Sequence, residues 1–195
     1  IWTEWQTRGL GSRVGKDLIV YLAAPAALAI LHGRHLGWRV DRTALRNTVL
    51  LGLFVLPFYV VGSALPTVRE FYPMWGGTRE TLLAHSLQQF LVVVAAETYY
   101  PGLLCVAVSD LGRKAAFISP IIYVFHHIGK PPIELILSGP TDVLFGLVDY
   151  ESNSILPSVV AHGTGLALLD WLVLHDPLIP TQTVLSWLRW LPVPV

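Results

Sequence analysis

Charge and cysteine are both scarce in this chain. Only 13% of its 195 residues are Asp, Glu, Lys or Arg, against roughly 25% in soluble domains. Formal net charge is zero and the basic residues are scattered, so no nucleic-acid groove is expected. The single cysteine, Cys105, excludes an intrachain disulfide framework and any multi-cysteine metal site. Its apolar neighbours make it a small buried hydrophobe. HExxH is absent, as are internal repeats and low-complexity tracts. No basic segment followed by a short apolar stretch and a small-residue cleavage site is seen. The start at Ile1 rather than Met leads us to expect a longer precursor.

What remains is apolar. Hydrophobic residues make up 53% of the chain and mean hydropathy is +0.57, values that name lipid as the solvent. The fold class expected is all-α, a polytopic transmembrane bundle of about six spans around a polar intramembrane cavity, with residues 1–195 forming one integral membrane domain. Residues 1–17 have interfacial composition, with tryptophans among Arg8, Arg13 and Lys16. A first span follows from Leu18, kinked at Pro25, and a second runs from Thr48 to Pro66. Arg34, Arg39, Arg42 and Arg46 crowd the connection between them, which the positive-inside rule places in the cytoplasm. The loop from Arg69 to Glu80 reads as re-entrant or interfacial. A third helix is expected from Ala84 to Val108, and a turn at Asp110–Lys114. The next span, from Ala115, is stopped by Pro131 and Pro132, and the one after it is broken at Gly139-Pro140. The last span covers Ile155–Leu174, capped by Ser152, Asn153 or Ser154. Residues 176–195, with Trp187 and Trp190, form an interfacial tail.

Four ionisable groups interrupt these apolar runs: Glu97, the neighbours His126 and His127, and His162. Each costs roughly 2.5 kcal/mol or more at bilayer depth unless paired. Their presence on three separate segments points to one shared site. Adjacent helical residues diverge by about 100°, so only one of His126 and His127 can face it. Glu97 is a candidate general base. Beyond His162, Gly165 and Leu169 share its helix face, Asp170 is placed to orient a histidine, and Thr164 and the glycines allow close helix approach. Lys130 and Glu134 stand four apart at a cavity rim. Asp142, Asp149 and Glu151 read as interfacial charges, and His32, His35, His85 and His175 as solvated residues at span ends. A carboxylate and two imidazoles suit water activation with oxyanion stabilisation. They also match a catalytic zinc set, with Glu97, His127 and His162 as ligands of a divalent metal; spacing does not separate the two.

At these residues the chain resembles the CPBP membrane proteases, the CAAX protease and bacteriocin-processing (Abi) family, over roughly Phe71 to Asp170. Ala96-Glu97-Thr98-Tyr99-Tyr100-Pro101-Gly102 falls on the first motif. Tyr123 to His127 falls on the second, with His127 the better match, and Ser154 to His162 leads into the third. The closest pattern is a single-glutamate branch, carried here by Tyr72-Pro73, His127-Ile128-Gly129-Lys130-Pro131 with Glu134, and His162 with Asp170. Pro101 stands in place of the motif arginine, Ala96 in place of the first glutamate, and Leu166 in place of the third-motif Asn or Asp. The resemblance implies a family-like core over 71–175 and an intramembrane endopeptidase with Glu97, His127 and His162 catalytic. His126, Lys130, Glu134 and Asp170 would support them. A lipidated or leader peptide would be the substrate, membrane lipid the other partner, and the plasma membrane of a prokaryote the location. The departures from the motif motivate a second reading, an inactive membrane scaffold or immunity protein. A proton-coupled transporter is the third, since buried Glu and His serve as proton relays.

Overall fold

The computed structural model describes residues 9–191 and Pro194. The interfacial reading of residues 1–8, and of 192, 193 and 195, lies outside the described residues. Within them every regular element is a helix. Helix α1 (Leu10–Leu31) absorbs Pro25 through a π turn at Leu18–Ala23 rather than a sharp kink. Helix α2 (Arg42–Gly62) begins at Asp41, whose Oδ1 accepts from the Ala44 amide at 2.9 Å. That amide holds the Asp41 carboxyl below its ordinary range. Short α3 (Pro66–Phe71) precedes α4 (Leu82–Leu103). A 3₁₀ stretch, Val106–Phe117, leads to α5 (Ser119–His126), α6 (Pro132–Ser152), α7 (Leu156–Val173) and α8 (Thr181–Leu188).

Among the described residues, three helices (α1, α2 and α7) are long and apolar enough to cross a membrane, or four if α4 and the 3₁₀ stretch form one bent span. The expected six are not reached, for two physical reasons. Helix α5 has only eight residues. Helix α6 is long enough, but Glu134, Asp142, Asp149 and Glu151 lower its hydropathy. The helix expected at 84–108 ends at Leu103 and turns through 76° into Val106–Phe117, which replaces the expected turn at Asp110–Lys114 and carries Gly112 at φ 63°. Gly139-Pro140, expected as a break, lies inside an uninterrupted helix.

Helix α7 is the centre of the bundle: its spanning window is 61% buried, against 17% for α1 and for α2. It packs chiefly against α2 and α4. A Cβ at Gly165 would lie 2.1 Å from Tyr59 Cε2 on α2, and one at Gly163 would lie 2.4 Å from Phe90 Cδ2 on α4. Both neighbours therefore sit against α7 through glycines just after His162, the close approach small residues permit in membrane bundles.

The start of α7 is stitched from three directions. The Gly37 carbonyl accepts from the Ile155 amide at 2.9 Å. The Ser154 hydroxyl donates to the Arg39 carbonyl at 2.5 Å and accepts from the Leu156 amide at 3.1 Å. From the preceding helix, the Asp149 carboxylate accepts from the Ser158 amide and, at 2.5 Å, from its hydroxyl. Asp149 is fully buried, which corrects its reading as an interfacial charge. It lies where a helix start offers unpaired amides and a positive dipole end. The tail also belongs to the core. Val184 of α8 is buried with Val68, Leu166, Leu169 and Val173, while Trp187 and Trp190 are exposed.

Gly165→Ala is expected to destabilise the protein by about 1–3 kcal/mol through overpacking against Tyr59. Thermal melts should show most of that loss recovered when Tyr59→Leu is added, a non-additivity that contacting residues display.

Candidate active site

Glu97 closes the regular part of α4. Pro101, four residues on, has no N–H to give the Glu97 carbonyl, and the chain responds by widening into a π turn over Thr98–Leu103. The i→i+5 pattern of that turn passes the carbonyl to Gly102 instead. A Cβ on Gly102 would lie 3.2 Å from the same oxygen and 3.1 Å from the Leu36 carbonyl, so the crossing is tight. The Glu97 side chain is left buried on the α7 side, 2% exposed.

There it meets His162. Nδ1 of His162 lies 2.6 Å from Glu97 Oε1, a short distance for a charge-assisted N–H···O bond. With Nδ1–H donated to the carboxylate, Nε2 is the ring atom left to act. The imidazole edge is partly open, and the Phe145 ring stands against it edge-on with centroids 6.3 Å apart.

His127 ends α5. Its Nδ1 lies 3.0 Å from the Tyr123 carbonyl; a carbonyl only accepts, so Nδ1 carries the proton. Nε2 stands 3.6 Å from Glu134 Oε1. Glu134 has other partners: Lys130 Nζ at 2.5 Å on Oε1 and the Tyr72 hydroxyl, which donates to Oε2 at 2.8 Å. Tyr123, partly buried, sets its ring 4.3 Å from that of His127 between centroids, and Tyr59 of α2 is partly buried as well. The candidate polar centre has two halves: Glu97–His162, between α4 and α7, and His127–Glu134–Lys130–Tyr72, between α5, α6 and the end of α3.

His126 points elsewhere. Its Nε2 lies 3.3 Å from the Tyr21 hydroxyl, and its ring stands edge-on to Tyr21 and Tyr100, which places it outside this centre. Asp170 is also remote from it. Oδ2 of Asp170 lies 3.3 Å from His85 Nε2 without forming a hydrogen bond, and the Gln89 amide nitrogen lies 3.0 Å from the same ring atom. The expectation that Asp170 orients a site histidine is therefore corrected: it meets His85. So is the reading of His85 as solvated, since His85, Gln89 and Asp170 are all buried. Asp142, read as interfacial, is buried too and accepts from the Ser119 hydroxyl at 2.5 Å. Glu151 is exposed and paired with Arg113.

Sequence reasoning did not single out Tyr59, Tyr72 and Tyr123 as site residues. The signal for each was a phenol inside or beside an apolar run, where a hydroxyl needs a partner. As for a metal, no three His, Cys, Asp or Glu side chains among the described residues converge as ligands. Glu97 and His162 bond directly while His127 turns to Glu134, so this arrangement does not fit the His2Glu set.

Residues 78–166 match the family model described as Type II CAAX prenyl endopeptidase Rce1-like. The resemblance read from the motifs holds over that segment, which contains Glu97, His127 and His162 and is a little under half of the chain. No curated protein and no solved structure matches.

Tyr72→Phe removes a donor to the Glu134 carboxylate and is expected to cost about 1.5–3 kcal/mol. Comparison of its unfolding midpoint with that of the wild type checks this.

Proposed function

We propose, taking the Rce1-like segment 78–166 as premise, that the chain is an intramembrane endopeptidase of CAAX-protease type. It would hydrolyse a peptide bond of a membrane-associated peptide, such as a lipidated carboxyl terminus or a leader. The observation that supports this best is the buried 2.6 Å contact between Glu97 and His162, with a second imidazole nearby.

In this reading Oε1 of Glu97 is engaged by His162, and Oε2 takes a proton from water held by His127 Nε2. The resulting hydroxide adds to the scissile carbonyl carbon. His162, its Nδ1 side held by the carboxylate, presents its Nε2 edge to the tetrahedral oxyanion. The proton on Glu97 passes to the departing nitrogen as the C–N bond breaks, leaving a carboxylic acid and an amine and returning Glu97 to its carboxylate. Lys130 offsets the charge of Glu134, so the site does not carry two uncompensated acids. The loop from Arg34 to Arg46 would face the cytoplasm of a prokaryotic cell.

Cleavage of a membrane-tethered peptide, with and without a prenyl group, tests the reading. Glu97→Gln and His162→Ala are each expected to lower kcat by about 10²–10⁴-fold, while His126→Ala stays within a few-fold of wild type. Equal cleavage by wild type and Glu97→Gln removes Glu97 from the mechanism.

A second reading, an inactive scaffold or immunity protein on the same fold, is favoured by Pro101 and Ala96. If the wild type is inert, the double variant Ala96→Glu/Pro101→Arg separates the two histories. A dead enzyme is expected to regain cleavage, whereas a dedicated binder stays silent in the same assay.

A further inference from the structure

We infer that the buried His85–Gln89–Asp170 cluster is a positioning device for the site. It fixes the register of α4 against α7 and so holds Glu97 on His162. The inference rests on the proposed hydrolytic reading.

Helix α4 contributes His85 and Gln89, one turn apart on one face, and Glu97 twelve residues beyond His85. Helix α7 contributes His162 and Asp170, eight residues apart. The helices run antiparallel along this seam, because Glu97 near the end of α4 meets His162 near the start of α7. His85 near the start of α4 meets Asp170 near the end of α7. The two contacts are crossed: at one end α4 supplies the acid and α7 the imidazole, at the other the roles are exchanged. Between them Val93, Leu166 and Leu169 share one apolar cluster. Greasy contacts of that kind tolerate sliding; the polar pairs at either end do not.

The remote pair has no access to a substrate. Asp170 is 0% exposed and His85 7%, and the loop before α4 covers them. A Cβ on Gly77 would lie 3.0 Å from both His85 Cγ and Pro73 Cβ. Chemistry is therefore excluded there, while burial of an acid and an imidazole in a seam carries a penalty that apolar residues avoid. The best-attested return on such groups is specification of register. A slip of α4 by one turn, about 5.4 Å, would bring Gln89 or Thr81 to the level of Asp170 in place of His85 and carry Glu97 past His162 in the same motion. His85, Gln89 and Asp170 are positioning residues: they act on the reaction through Glu97 and His162.

The test uses the full chain in nanodiscs, with His85→Leu/Asp170→Leu as the main variant and His85→Asp/Asp170→His as the exchanged pair. The apolar double variant is expected to melt near the wild-type temperature but lose about 10–100-fold in kcat, as misplacement of reacting groups does, with KM little changed. The exchanged pair should restore most of the rate. Independently of turnover, ¹⁵N-histidine spectra of the wild type should show a far-downfield His162 Nδ1 proton from the short bond to Glu97. That signal should be lost in the apolar variant and regained in the exchanged one. Retention of both the signal and kcat in a folded His85→Leu/Asp170→Leu protein overturns the inference. So does loss of the signal in every variant in proportion to lost thermal stability. A wild type that cleaves nothing defeats the hydrolytic reading instead, and the spectra still decide the register question.

Discussion

An ionisable side chain buried between apolar helices must be met by a partner on the facing helix. Most of this bundle is arranged around that demand. Glu97 finds His162, Asp170 finds His85, Asp142 finds Ser119, and Asp149 finds the first turn of α7. Each pairing joins two different elements, so each fixes a relative placement that apolar contacts alone leave soft. The glycines at 163 and 165 serve the same end, since they let α4 and α2 come near enough for the acid and the imidazole to touch.

This organisation explains how two histidines adjacent in the chain take separate duties. On a helix His126 and His127 diverge by about 100°. One turns to the aromatic face shared with α1, the other to Glu134 and the polar centre. Lys130 and Glu134, brought together across the double proline, keep the second half of that centre near neutrality. The outer faces remain apolar, with Leu50, Leu53, Phe54 and Phe58 of α2 and Ile121 and Phe125 of α5 exposed, as a lipid-facing surface requires.

The all-helical fold was legible in the sequence from hydropathy, and Glu97, His127 and His162 stood out because a charge inside an apolar run is costly. Other features depended on partners distant in the chain. His85 lies near a helix start, where local reasoning assigns it to water; only Asp170, eighty-five residues away, draws it inside. Asp142 and Asp149 look interfacial until Ser119 and the start of α7 are placed against them. Pro140 was expected to break α6, yet the helix continues through it, because neighbouring turns accommodate a proline at membrane depth. The count of six spans is not confirmed for a related reason: hydropathy marks apolar stretches, and α5 is one such stretch with only eight residues in its helix.

The widened turn at Thr98–Leu103 has a consequence for the aromatic side of the molecule. One additional residue in a single turn advances the azimuth of everything beyond it by roughly 100°. Tyr100 is thereby swung against Tyr21, on which it stacks, with Tyr123 and His126 edge-on to it. Were the helix rewound to ordinary pitch, that phenol would sweep away from Tyr21. The same proline that departs from the protease motif thus shapes an aromatic contact between the first helix and the end of α4.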